Sequence, residues 1–328
     1  MNRRNAIRTL LAALAAVPCV LPNPARGQPR ILRVVYVTGN SEESVTRPLA
    51  AFLEELRALG YIEGRNLSFD IAYGEFSRER TRMLSAEMIA KKPDIIVASH
   101  GAVHTFSDLT KTIPIIAIYS GDMVEARLVK SLARPGGNIT GVQLLGFDLV
   151  GKRIEVLKEL VPSIKRLAVL AMSAHPGVTQ EREVSAAAAK QLGISIAFYP
   201  LANPQELDAG LVAAQAQGVN GIVLFPDPIT LSGAPRIAAF ALQHKLPVVS
   251  GWYNYADAGG LVSYGPNMRE AWRRAASHFD RVAKGADPAT TPVELPTIIE
   301  LILNLRTAKA LGIKIPQSVL ARADRVIE

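Results

Sequence analysis

The chain has 328 residues, 49% hydrophobic, 6% aromatic and 20% charged, with a formal net charge of +8. That length suits two medium-sized cores, and that composition excludes a disordered or fibrous chain. The charge excludes less, because part of it lies at the very start.

The start runs Met-Asn-Arg-Arg-Asn-Ala-Ile-Arg, then a stretch rich in alanine and leucine, then Ala25-Arg26-Gly27 before Gln28. A basic segment, an apolar segment and small residues in that order make a secretory signal, so 1–27 is expected to be removed. Arg3, Arg4, Arg8 and Arg26 would leave with it, taking 37 basic residues to 33 against 29 acidic, a net +4. No dense Lys/Arg run remains to track phosphates, so nucleic acid is not an expected partner. Arg3-Arg4 leaves twin-arginine export open, and Ala6 counts against it, because that route prefers a bulky apolar residue there. Cys19 is the single cysteine. It follows Pro18, with Ala16 three places before it, a poor match to a lipid-anchor site, so anchoring is not expected. A chain beginning at Gln28 has no thiol, which removes thiol catalysis and Cys-based metal sites. No later apolar run reaches transmembrane length.

From residue 31 onward, β-rich runs alternate with helical patterns. Strands are predicted at 31–37, 66–73, 94–98 and 113–119, with helices at 48–59, 78–91, 102–110 and about 124–133. The plan then repeats: helix 150–160, strand 166–171, helix 178–192, strand 194–199, helix 206–217, strand 221–225, helix 235–245, strand 247–251. Strands joined by helices of this length form parallel sheets covered on both faces. The halves also match in detail: "KKPDIIVASHG" parallels "GVNGIVLFPDP", and "KTIPIIAIYSGD" parallels "HKLPVVSGWYN". The fold class is therefore α/β, with two similar Rossmann-like lobes. Between them lies Leu132-Ala-Arg-Pro-Gly-Gly-Asn-Ile-Thr-Gly-Val142. Phosphate loops run strand, glycines, helix. Here the expected order is helix, glycines, strand, so Gly136-Gly137 reads as a turn after a helix that leads toward the second lobe.

Enzyme signatures are missing. Thr38-Gly39-Asn40-Ser41 follows the first strand, but Glu42, Glu43 and Ser44 stand where a dinucleotide fingerprint needs glycine. No nucleophile elbow or Walker A sequence occurs. His100 and His104 are four apart, with no third ligand in sight, so no metal is expected; no cofactor or catalytic residue is assigned. Open α/β sheets bind ligands at the strands' carboxyl ends. That rule selects Thr38, Ser41, Ser99, His100, Ser120 and Asp122 on the first lobe, and Ser173, Asp227, Trp252 and Tyr253 on the second. Hydroxyls, two carboxylates and an aromatic pair suit a small polar organic ligand; the same residues also serve as helix caps. Asp122 and Asp227 would take an ammonium group, and the aromatic pair would cover an apolar side chain.

At these residues the sequence resembles the substrate-binding proteins of ABC importers, with the type I periplasmic binding protein fold. The resemblance spans the mature chain. It is carried by Gly60-Tyr-Ile-Glu63-Gly64-Arg-Asn66, Ile113-Pro114-Ile115, Gly121-Asp122 and Ala133-Arg-Pro-Gly-Gly-Asn-Ile-Thr-Gly141. Lys152-Arg153, Leu157-Lys-Glu-Leu-Val-Pro162, Gly260-Leu-Val-Ser-Tyr264-Gly-Pro-Asn267 and Leu320-Ala-Arg-Ala-Asp324 extend it. The subgroup resembled includes binders of aromatic amino acids. Asp122-Met123-Val124 departs from that family's Asp-Pro-Val, and Asp227 lies between prolines instead of before small polar residues. The resemblance implies a three-strand hinge, with crossings near 144–150, 261–265 and 291–295. Lobe one is then 28–146 plus 264–290, and lobe two 147–263 plus 291–328. It further implies a monomeric periplasmic protein that is not an enzyme and hands a small solute, an amino acid or relative, to importer permease subunits. An extracytoplasmic enzyme or a ligand-sensing domain would use the same cleft.

Overall fold

The structure, a computed structural model, describes residues 31–328 except 147 and 176. The expected signal at 1–27, its Arg3-Arg4 pair and Cys19 lie outside those residues.

In chain order the first lobe builds β1 (Leu32–Thr38), α1 (Glu42–Ala58), β2 (Leu67–Tyr73), α2 (Arg78–Ala90), β3 (Ile95–Ser99), α3 (Gly101–Leu109), β4 (Ile115–Tyr119) and β5 (Ile139–Gln143). The five strands form one parallel sheet, in the order β2-β1-β3-β4-β5. β1 shows why it is buried on both sides. Val34 and Tyr36 point into one core with Phe52 of α1, while Val35 and Val37 point into another with Phe106 of α3. A strand with apolar residues on both faces needs cover on both.

The second lobe builds α4 (Val150–Leu160), β6 (Arg166–Met172), α5 (Val178–Gln191), β7 (Ser195–Leu201), α6 (Leu207–Ala216), β8 (Ile222–Leu224), α7 (Pro228–Ser232), α8 (Ala234–Gln243), β9 (Val248–Ser250), α9 (Asn254–Asp257) and β10 (Val262–Pro266). Next come α10 (Met268–Ala283), β11 (Ile299–Asn304), α11 (Leu305–Leu311), α12 (Gln317–Leu320) and β12 (Arg325–Ile327). The second sheet is ordered β12-β11-β10-β9-β8-β6-β7 and is parallel except where β10 meets β11. Its two faces alternate in the same way: Leu167 and Val169 pack toward α4, Ala168 and Leu170 toward α6 and α8.

Three connections join the sheets. The first follows β5. The second leaves β10 for α10, whose Ala271, Trp272, Ala275 and Phe279 pack on the first sheet with α1. The third comes later than the sequence placed it. Residues 291–294 still run along β5, with Glu294 N–H donating to Gly141 O and Gln143 N–H to Glu294 O, both at 2.9 Å. This strip supplies partners to the outer edge of β5, which would otherwise present unpaired backbone groups. The second crossing also leaves Tyr264 to Pro266 on the second sheet, where they pair with β11.

Two sequence expectations need correcting. The helix predicted at about 124–133 is absent: that stretch is a series of turns. Arg127 sits at φ +57°, and the N–H groups of Leu128 and Val129 both return to Met123 O, so the turn closes on itself instead of propagating. Gly136 therefore ends an irregular loop; its φ of +70° is the left-handed conformation that favours glycine. The other correction concerns α1, which begins at Glu42 and holds Pro48 inside it. Buried Ser44 and Val45 lie on its first turns, so core packing extends the helix ahead of the proline.

One buried cation ties the crossings together. Arg153 of α4 is fully buried. Its Nε donates to Tyr264 O at 2.9 Å, and its Nη1 to Gly146 O at 2.8 Å. A single guanidinium thus ties the first connection to β10, the strand that leads into the second.

Candidate functional site

A cavity of about 580 Å³ opens between the lobes at the carboxyl ends of β1, β2, β3, β6 and β8. Each strand end contributes through the loop that follows it. After β1 comes Asn40, after β2 the run Phe76 to Arg78, and after β3 the pair His100-Gly101. After β6 come Ser173 to His175, and after β8, Pro228.

The loop after β3 is strained. His100 caps α3 at φ +53°, ψ −125°, a conformation that costs an L-residue of order 1–3 kcal/mol. It is 5% exposed, and neither ring nitrogen has a hydrogen-bond partner among the described residues. Burial pushes its pKa down to about 4. At neutral pH the ring is uncharged, with one N–H and one bare nitrogen. His175 faces it from the second lobe. Its Nε2 meets Ser120 Oγ at 2.8 Å, while Nδ1 has no partner among the described residues. Burial, reinforced by His100, lowers its pKa to about 3. Asn40, 1% exposed, likewise leaves Nδ2 unpartnered among the described residues. A buried polar atom without a partner costs about 1–3 kcal/mol. Three side chains in that condition lie around one cavity.

Charge on the wall is mostly positive. Arg78 and Arg82 line the cavity, and the one acid among the described lining residues is the exposed Asp108. Arg78 also bridges the lobes, its Nη2 donating to Ala174 O at 3.2 Å. With the Ser120–His175 contact, it closes the cleft from both sides.

Of the residues selected from sequence, His100 and Ser173 line this cavity, and Ser120 reaches it through His175. Thr38 and Ser99 lie beneath its floor, in a buried hydroxyl chain: Ser99 Oγ donates to Thr38 Oγ1 at 2.9 Å and meets Tyr36 OH at 2.9 Å. Ser41 pairs with Ser44 at 2.8 Å, away from the cavity lining. Asp122 accepts the N–H groups of Val124 and Glu125 through Oδ1, at 2.7 and 2.9 Å. Asp227 is fully buried and caps α7: Oδ1 accepts Thr230 N–H at 2.9 Å and Oδ2 accepts Met172 N–H at 2.7 Å. Burial nevertheless raises its pKa to about 6, against those N–H groups. Trp252 is 2% exposed in the core shared with Tyr36 and Trp272, and its Nε1 donates to Asp227 O at 3.0 Å. Tyr253 packs partly buried against the same core.

The architecture and the cleft have counterparts in known proteins. A family model described as ABC transporter substrate binding protein matches residues 35–327. The chain belongs to that family. A tyrosine-binding protein of Clostridioides difficile (strain R20291) is 24% identical over 272 residues, covering 83% of this chain and 78% of the relative. A solved ABC domain in complex with L-Trp, from Streptococcus pneumoniae, superposes with a TM-score of 0.84 at 25% identity, covering 90% of this chain and 100% of that one. A ligand-free, open substrate-binding protein from Clostridium difficile superposes at 0.66, with 21% identity and coverage of 90% and 99%.

For a substrate-binding protein the loop after β2 is the main surprise. Phe76 and Arg78 were absent from the sequence-based set, although the strand-end rule applied to them equally. Asn40 and His175 lie on the same strand-end loops as Thr38 and Ser173 but were not among the residues selected there. His104, considered only as a metal partner of His100, lines the cavity with its Nε2 on Tyr119 OH at 2.7 Å.

Proposed function

We propose that this substrate-binding protein captures a small carboxylate-bearing solute, an amino acid or a relative of one, between its lobes. It then presents the solute to the permease subunits of an ABC importer. The observation that carries the reading is the interlobe cavity, with unpartnered polar atoms from both sheets and arginines on its wall. Its volume suits a ligand of amino-acid size. The tyrosine and L-Trp named for two relatives support the solute class. The work is placed in the periplasm, after export by the N-terminal signal, by a monomer without a lipid on Cys19 and without catalysis. Among the described residues no helix is long and apolar enough to cross a membrane.

Two lobes that close on a ligand are stabilised by it. At a hundredfold excess over Kd the gain is about 2.7 kcal/mol, or roughly 2–4 °C in Tm per kcal/mol for lobes of this size. A thermal-shift screen of amino acids, organic acids, purines and sugars tests this, together with mass spectrometry of ligand released from denatured protein. A strong shift with a neutral sugar, and none with any carboxylate, would overturn the assignment.

A further inference from the structure

We propose that the cleft recognises the carboxylate end of its solute through uncharged donors from both lobes, Asn40 and His100 on one and His175 on the other, and leaves an α-amino group unread. This inference rests on the solute reading above and sharpens it to a class: carboxylic acids, with or without an amino group.

The argument starts from the atoms that lack partners. Asn40 Nδ2 is a donor in every state of the amide. His100 has both ring nitrogens unpartnered among the described residues, so whichever tautomer it adopts, one N–H is available. His175 offers Nδ1–H when Ser120 donates to its Nε2, a choice that the 2.8 Å contact permits and a ligand carboxylate would select. These are three donors at 1%, 5% and 4% exposure around one cavity. A carboxylate, which only accepts, can take a hydrogen bond from each of the three; an ammonium, which only donates, has only the bare ring nitrogen of a neutral histidine to pair with.

The groups that would read an ammonium are engaged elsewhere. Asp122 holds backbone N–H groups of its own loop, Asp227 holds those of Thr230 and of Met172 at the end of β6, and neither lines the cavity. Glu181, a buried carboxyl without a hydrogen-bond partner among the described residues, is likewise not among the lining residues, and Arg153 is its oppositely charged neighbour. Asp108 lines the wall but is exposed, where water screens it. Arg78 and Arg82, exposed like Asp108, outnumber it and leave the rim of the cavity net positive.

Isothermal titration calorimetry with matched triads tests the proposal. One triad is L-phenylalanine, 3-phenylpropanoate and phenethylamine; another is L-leucine, 4-methylpentanoate and isopentylamine. In a triad that binds, the acid without its amino group is expected within about tenfold of the amino acid, and the amine at least about a hundredfold weaker. An amino acid binding more than about tenfold tighter than its des-amino acid would overturn the proposal while leaving solute capture intact. Binding of sugars alone would remove the function beneath it as well. Asn40→Asp, which replaces a donor by an anion, should weaken the carboxylate at least tenfold, and Arg78→Gln provides a second, exposed position with the same expected direction. Folding of each variant is checked by circular dichroism, and unchanged affinity in a folded Asn40→Asp protein would also overturn the proposal.

Discussion

At the end of β3 in the first lobe, His100 has both ring nitrogens unpartnered among the described residues and a strained backbone beside the cleft. At the end of β8 in the second lobe, Asp227 uses both carboxylate oxygens on N–H groups of its own lobe. The same division runs through the neighbouring loops. Asn40 and the arginines of the first lobe line the cavity, whereas Trp252 after β9 is buried in the core beside α10, its ring edge-on to His100. Two similar sheets thus put equivalent loops to different uses. The first lobe supplies most of the cavity lining, and the second offers chiefly the loop after β6. What separates them is α10, which brings Trp272 under the second lobe's strand ends and gives Trp252 an apolar place to go.

The largest expected effect falls on the second lobe. Trp252→Ala removes a buried indole and the hydrogen bond to Asp227 O, and should cost about 3–5 kcal/mol in chemical denaturation. A loss below about 1 kcal/mol would mean that the lobes do not share this core. Next is Asp227→Asn. The amide keeps one acceptor but turns a donor toward Met172 or Thr230 N–H, a buried mismatch worth about 1–3 kcal/mol. Ligand affinity should change far less than stability, and calorimetry on the folded variant checks that separation.

A third test uses pH. Burial raises Glu181 from 4.5 to about 8 against the pull of Arg153. The folded state therefore favours the protonated acid. The stability this contributes is fully present below pH 4.5 and is lost as pH rises through about 8. Glu181→Gln should flatten that decline, by about 3 kcal/mol between pH 5 and 8. His100 and His175 act in the opposite direction. Their folded values lie below the ordinary 6.5, so their contribution is present above pH 6.5 and is lost as pH falls toward 4 and 3. A Tm profile for Glu181→Gln that parallels the parent across the alkaline range would remove Glu181 from this account. The smallest effect is expected at Asp122→Ala, where one half-buried loop cap is lost for about 0.5–1 kcal/mol, with unchanged solute affinity. A large loss of affinity there would return Asp122 to the cleft.

Much of this protein was legible in its sequence because the signals are local. Alternation of apolar strands with capped helices, and the repetition of that plan, fix two parallel-sheet lobes, since a strand apolar on both faces must be covered on both. The strand-end rule pointed to the face where the cavity lies, and His100 and Ser173 line it, because chain direction and sheet order settle which loops meet there. Tertiary structure decided the rest. Whether a polar residue at a strand end faces a ligand depends on which backbone donors lie within reach: Asp122 finds them in its own loop, and Asp227 finds one of its two at the end of β6. Whether Trp252 covers a solute or fills a core depends on α10, whose place on the first sheet follows from a chain crossing made further along. The turns at 124–133 escaped for a related reason: their composition permits helix, and only the left-handed Arg127 and the contacts of Met123 close the loop early. Composition and period determine which segments are buried; which atom is left without a partner is settled only when distant segments meet.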